Sequence, residues 1–369
     1  MAKRPTIADI AALAGVSAGA VSYALNGLPG VSEQTRARIL AIADEIGWAP
    51  NVAARSLTVS RAQAVGWVIA RPTATLGVEP FFTQLIAGLE AELSRSRVAL
   101  LLQVVDDHEA ATLATRRWWA ERRIDGVIVT DVWAGDARLP VLRDLGVPTV
   151  LVGRPQPGSD ATAVWSDEAA SVASTVDYLV ALGHRRIARV AGMSRLDHTR
   201  VRTRAFRARM KHHGLADPTL VVTDYSSEQG ARATRQLLTA ADRPTAITFD
   251  NDVMAVAALS VAREMDVSVP DELSIVSGED SELTVLVNPS LTALSRDVAA
   301  YGAAAARALL ELVDGGPATS RELDAAHLVP RGSTGPVGGA RRGQATTRPR
   351  STERRGASSV SRSTRGSAS

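Results

Sequence analysis

Cysteine is absent from the 369 residues. Disulfides, thiol catalysis and thiolate zinc sites are thereby excluded, and the composition suits a reducing compartment. Runs of 18 or more apolar residues are absent too, so no membrane-spanning helix and no membrane partner are expected. Asp9 and Gly15 interrupt what would have to be the apolar core of a signal peptide, and a cytoplasmic location is expected. The chain lacks the common catalytic signatures: no Gly-x-Gly-x-x-Gly after its first strand, no Walker lysine, no HExxH pair and no Gly-x-Ser-x-Gly elbow. His184, His198, His212 and His213 do not fall at a metal-ligand spacing, so neither an enzyme nor a metal or other cofactor is expected. A strong overall charge is also missing, the formal net charge being +3. Basic residues gather at the two ends, with eight arginines against Glu353 alone in residues 332–369, and the long middle is mildly acidic. Bulk charge by itself therefore does not point to nucleic acid.

The length allows two or three domains with ample core. Residues 6–26 read as two short helices joined by a tight turn. Thr6 with Asp9 approximates a capping box, and Ile7, Ile10, Ala11 and Ala14 make one apolar stripe. Gly15-Val16 turns the chain, and Ser17 caps a second helix whose inner face is Val21 and Leu25 and which stops at Asn26-Gly27. Ser32 caps a third helix with Ile39, Ile42, Ala43 and Ile46 inward, and Gly47 ends it. This is a helix-turn-helix, whose second helix can enter a DNA major groove.

After Arg61 strands and helices alternate. Strands are expected at 64–70, 98–105, 126–130, 148–152, 162–165, 187–191, 219–223, 245–249 and 274–277. Helices are expected at 83–96, 108–122, 136–145, 167–182, 200–213, 226–240 and 251–265. Near-continuous apolar strands indicate parallel sheets covered on both faces, and their number implies two subdomains. Ligands of such sheets sit beyond the carboxyl ends of the strands. Arg154, Asp167, Tyr225, Asp250-Asn251-Asp252 and Glu279-Asp280 lie there, although any one alone could be a helix cap or turn residue. Trp118-Trp119 cannot share one helix face, so one of them is expected at a subunit seam. Residues 332–369 are Gly, Ser, Thr, Arg and Pro with almost no apolar side chains, and are expected to be a disordered basic tail. No leucine heptads suggest a tetramer, so a homodimer is expected.

The stretches Thr6-Ile7-Ala8-Asp9-Ile10-Ala11, Ala14-Gly15-Val16-Ser17, Val21-Ser22, Leu25-Asn26, Val31-Ser32, Thr35-Arg36 and Trp48-Ala49-Pro50-Asn51 resemble the head of LacI-type (lactose/galactose repressor) regulators. More thinly, so do Ile124-Asp125-Gly126-Val127-Ile128, Gly146-Val147-Pro148, Leu182-Gly183-His184-Arg185-Arg186-Ile187, Asn251-Asp252 and Pro289-Ser290-Leu291-Thr292. The resemblance implies an α/β chain with a three-helix helix-turn-helix head at 1–50 and a hinge helix at 51–60. A periplasmic-binding-protein-like pair of Rossmann-like subdomains follows at 61–331, crossed three times by the chain. It implies double-stranded operator DNA as partner, bound through Thr6, Ser17, Ala18, Gly19, Ser22, Tyr23, Asn26, Asn51 and Ala54. Lys3 and Arg4 would reach phosphates, and Leu57 would be a minor-groove wedge. It also implies a small-molecule effector in the cleft, held by Arg154, Trp165, Arg202, Tyr225, Asn251, Asp252 and Glu279. Paired polar groups over an aromatic floor suit a sugar or related polyol, and a nucleoside would also fit. Two departures stand out. Tyr23 replaces the family's arginine, so DNA shape and phosphate contacts should carry more of the recognition. Glu279 replaces an aspartate, and its longer side chain would reshape the pocket. The alternative reading is an architectural, nucleoid-type DNA-binding protein.

Overall fold

A computed structural model describes residues 5–48, 61–71, 76–77 and 79–338. The expected hinge residues Asn51, Ala54 and Leu57, and the arm residues Lys3 and Arg4, lie outside the described residues.

The head is three helices, α1 (Ile7–Ala14), α2 (Ala18–Leu25) and α3 (Glu33–Glu45). Each begins where a side-chain oxygen can accept an orphan backbone N–H. Thr6 Oγ1 accepts from Asp9 N while Asp9 returns a bond to the Thr6 backbone, and Ser17 and Ser32 cap α2 and α3. Gly15, at φ 65°, makes the turn that a residue with a side chain would resist. Ile10, Val21 and Ile39, one from each helix, form the fully buried centre of a small core.

The sensor begins with β1 (Ala64–Ala70), α4 (Pro80–Leu93), β2 (Ala99–Val105), α5 (His108–Ala120), β3 (Gly126–Val129), α6 (Arg138–Asp144), β4 (Thr149–Val152) and β5 (Thr162–Ser166). The chain then crosses to a second subdomain. This comprises α7 (Glu168–Ala181), β6 (Ile187–Ala191), α8 (Asp197–His212), β7 (Leu220–Val222), α9 (Ser227–Leu238), β8 (Ala246–Phe249), α10 (Asp252–Glu264), β9 (Ser274–Ser277), α11 (Glu282–Leu286) and β10 (Thr292–Ser295). It returns to the first subdomain for α12 (Val298–Val313) and β11 (Arg321–Leu323), and crosses a third time into β12 (His327–Val329).

The first sheet runs β11-β5-β4-β3-β1-β2, parallel throughout, and the second β12-β10-β9-β8-β6-β7, parallel except for β12. In both, strand order reverses beside the first strand, which makes two topological switch points. The expected fold class is borne out. Helix α12, in a stretch where no helix was expected, packs across α4. Its alanine-rich face hides the usual apolar period, and Gly88 and Gly302 let the backbones touch: a Cβ on Gly88 would lie 1.9 Å from Ala299 O.

One expectation needs correction. Residues 332–338 are not tail but part of the second subdomain. Ser333 is fully buried, its Oγ donating to Ile275 O at 2.6 Å and accepting from Thr292 N at 2.8 Å, and Tyr178 and Thr334 share a 2.7 Å hydroxyl contact. The pairing comes from backbone and hydroxyl groups, so it leaves no apolar signal. Of the tryptophan pair, Trp118 is buried against Gly66 and Ile124, while Trp119 is half-buried and donates from Nε1 to Leu145 O at 3.2 Å.

Candidate functional site

On the head, Thr6, Ser17, Ala18, Gly19, Tyr23 and Asn26 are exposed and Ser22 is half-buried, so the expected DNA-facing residues lie on the accessible side of α2 and the start of α1. Their polar groups already have local work. Thr6 Oγ1 donates to Asp9 at 2.6 Å, Ser17 Oγ accepts from Ala20 N at 3.2 Å, and Asn26 Nδ2 donates to Ser22 O at 2.9 Å. The Tyr23 ring lies against Gly30, where an added Cβ would meet it at 3.4 Å. Arg36, whose side chain donates to Ala24 O at 3.3 Å and Leu28 O at 2.7 Å, pins the loop between α2 and α3.

The seven expected effector residues converge. Arg154, Trp165, Arg202, Tyr225, Asn251, Asp252 and Glu279 all line one cavity between the subdomains, with about 980 Å³ of space outside protein atoms, its open mouth included. Loops leaving the carboxyl ends of strands place Arg154, Tyr225, Asn251 and Glu279 there, as the switch-point geometry requires, while Trp165 comes from β5, Arg202 from α8 and Asp252 from the first turn of α10. Arg154 is at the mouth, its Nε 3.5 Å from Asp197. Asn251 caps α10, accepting from Met254 N at 3.0 Å, and its amide reaches Tyr225 O at 3.1 Å and Glu79 at 3.3 Å across the cleft. Asp252 accepts from Ser281 Oγ, and burial raises its pKa. Tyr225 takes φ 73°, unusual for so large a side chain, and its ring fills space that exists because residue 192 is glycine. Its hydroxyl meets His198 Nε2 at 2.9 Å and Thr199 Oγ1 at 3.0 Å.

Arg202 is less free than expected. Its Nε donates to Glu168 at 2.6 Å, Nη2 to Glu279 at 3.4 Å and Nη1 to Asp250 O at 3.4 Å. Arg296 Nη1 binds the same Glu168 at 2.6 Å and its Nε lies 3.5 Å from Glu279. Burial works against the Glu168 charge, yet the two guanidinium groups hold it well below the usual carboxylate range; burial raises Glu279. Behind this group, Arg189 is paired with Asp250, which also accepts from Gly192 N at 2.8 Å.

Several lining residues escaped the sequence reading. Arg71 grips Asp131 through Nε at 2.8 Å and Nη2 at 3.1 Å, and stacks over Tyr225 at 4.7 Å. Despite burial, Arg71 keeps Asp131 below its ordinary pKa. Glu79, the residue before α4, is pushed by burial up to about 7. Phe81, Phe82 and Tyr301 add apolar surface. Asp167, by contrast, is a helix cap, accepting from Ala169 N and Ala170 N at 2.9 Å.

A helix-turn-helix head followed by two switch-point sheets facing one cleft defines a DNA-binding transcriptional regulator with a ligand-sensor domain. Residues 6–51 match the profile of bacterial regulatory proteins of the lacI family, and residues 176–334 match a periplasmic binding protein-like domain. The chain is 31% identical to the HTH-type transcriptional regulator CelR of Thermobifida fusca over 85% of its own length and 93% of that protein. Its fold matches the lac repressor dimer bound to operator and the anti-inducer ONPF, with TM-score 0.81 at 25% identity over 90% of this chain and all of that one. The CelR–cellobiose complex matches with TM-score 0.68 at 28% identity over 89% and 100%. The chain belongs to the lacI family of bacterial regulatory proteins. These relatives are regulators, and the architectural alternative is set aside. No single helix among the described residues is long and apolar enough to cross a membrane.

Proposed function

We propose that this regulator is a cytoplasmic repressor, without catalytic activity, that binds a near-palindromic operator as a homodimer and is controlled by a sugar or related polyol in the cleft. The observation that carries the effector reading is the cavity itself. Side chains from both subdomains close on one space at both switch points, with the aromatic surfaces of Trp165, Tyr225 and Phe81 set among carboxylates and guanidinium groups. Sugars are recognised by that combination of ring faces and paired donors and acceptors. Cellobiose in the related CelR and ONPF in the lac repressor support the same use of the cleft here.

A ligand touching both walls stabilises one arrangement of the subdomains over others, and the head responds through the hinge. Such coupling is typically about 1–3 kcal/mol and reciprocal: operator DNA must change effector affinity by the factor by which effector changes operator affinity. On the DNA side the wedge role of Leu57 rests on the sequence resemblance.

The test uses fluorescence anisotropy with DNA from the protein's own promoter. A neutral sugar panel should contain a compound that shifts operator affinity, and Trp165→Ala should remove that shift while operator affinity without sugar is kept. Trp165 is half-buried and outside the ion-pair network, which makes it a cleaner probe than Arg202. An undiminished shift in Trp165→Ala would place the effector outside the cleft.

A further inference from the structure

The cleft's charges are unequal and mostly spent on one another. Among the described residues, seven carboxylates and four guanidinium groups line the cavity. Arg202 has all three nitrogens engaged, and Arg296 gives both terminal nitrogens to Glu168. Arg71 differs. Its Nε and Nη2 are held by Asp131, but Nη1, in a side chain only 4% exposed, has no hydrogen-bond partner among the described residues. Its nearest carboxylate, Glu79 Oε1, is 3.7 Å away, beyond hydrogen-bond length. A buried N–H of a guanidinium left unpaired is costly, and a hydroxyl seated in the cavity beside the pair can hydrogen-bond to both groups.

We propose that Arg71 and Glu79 form the specificity-determining edge of the cleft, where a hydroxyl of an uncharged polyol accepts from Arg71 Nη1 and donates to Glu79, and that the same edge rejects effectors bearing phosphate or carboxylate. This rests on the reading of the cleft as the effector site. A hydroxyl is donor and acceptor at once and satisfies both sides of the gap. A carboxylate or phosphate is held best by two parallel N–H groups of one fork. Arg71 keeps both N–H groups of Nη1, but an anion taking them would sit against Glu79, 3.7 Å from that nitrogen, and would face the surplus of carboxylates in a site where charge is weakly screened. The half-exposed Arg154 at the mouth is the one lining guanidinium that makes no hydrogen bond among the described residues, so an anionic ligand would have to enter there.

The full-length protein is titrated calorimetrically with matched pairs: cellobiose and cellobionate, glucose and glucose 6-phosphate, ribose and ribose 5-phosphate. In the pair that binds, the neutral member should be at least about tenfold tighter. Arg71→Met should weaken it by about ten- to a hundredfold, the range for losing a hydrogen bond to a charged donor. Should Arg71→Met fail to fold because Asp131 is left unpaired, Arg71→Lys serves instead, keeping the charge without a fork that reaches both partners. Glu79→Gln should shrink the neutral-over-anionic ratio by several-fold. An anionic member binding as tightly as its neutral counterpart overturns the proposal, as does full neutral affinity in the folded Arg71 variant or an unchanged ratio in Glu79→Gln. If an anion binds best and Trp165→Ala abolishes that binding, the cleft reading stands and this proposal alone falls. If no member of any pair binds, the sugar reading of the cleft falls and takes the proposal with it.

Discussion

Helix α2 carries no charged side chain, whereas eleven charged side chains line the cavity of the sensor. The contrast lies in how each surface is bound to its own fold. The accessible face of α2 and its C-cap (Ala18, Gly19, Ser22, Tyr23 and Asn26) is supported by Val21 and Ala24 packed into the small head core beneath it. Residues can change there with little cost to stability, which suits a surface that must track a particular operator. In the cleft, recognition and stability share atoms. Glu168 compensates two buried guanidinium groups, and Asp131 compensates a third. Breaking a buried charge pair by removing one member leaves the other uncompensated. Ligand specificity in this protein is therefore tied to sensor stability, while operator specificity is not.

The sharpest way to break that comparison is Glu168→Ala. Arg202 and Arg296 would both lose their 2.6 Å partner, and the expected cost is about 3–5 kcal/mol, read as a shift in the sensor's urea-unfolding midpoint. A cost near that of a surface substitution would show that the cleft charges are independent of one another. A smaller, signed effect is expected from pH. His198 is held at about 4 by burial, first, and by the nearby Arg202 charge. An unfolded chain takes up that proton as pH falls below about 6.5, so stability due to the neutral histidine is lost between about 6.5 and 4. Glu79, raised to about 7, acts oppositely: the folded chain keeps a proton that the unfolded chain releases above about 4.5, so its contribution declines as pH rises from there to 7. Relative to wild type, the Tm of His198→Gln should improve from pH 7 to pH 5, and that of Glu79→Gln from pH 5 to pH 7. Parallel trends would mean that one of the two groups is not held as its surroundings require.

How much of this was legible follows from the range of each interaction. The head's caps, Thr6 with Asp9, Ser17 and Ser32, are made within three residues, so the sequence displays them. Residues at strand ends were legible from the alternating pattern, which brought Tyr225, Asn251 and Glu279 to the cavity wall. Arg71 and Asp131 obey the same rule, following β1 and β3, and could have been found by applying it to every strand. Glu168 and Arg296 could not. Glu168 looks like an ordinary first-turn acid of α7, and Arg296 follows β10, a strand that the sequence reading did not place. Their meaning arises only when residues 128 positions apart meet.

The smallest expected effect tests the other side of the comparison. Tyr23 is half exposed, with its ring resting on Gly30 and its hydroxyl making no hydrogen bond among the described residues. If α2 reads DNA mainly by fit, the ring supplies apolar contact, as to a thymine methyl, and the hydroxyl contributes little. Tyr23→Phe should then leave sensor stability unchanged and alter operator affinity by no more than about twofold, since the ring and its seat are retained. A loss of about tenfold confined to the specific operator would instead correspond to about 1.4 kcal/mol, the scale of a hydrogen bond to a base edge. Equal loss on operator and unrelated DNA would assign the hydroxyl to phosphate. In either case a single polar group on α2 would carry weight that its freedom from the fold does not foretell, and the separation between a committed cleft and an uncommitted reading helix would hold for stability alone.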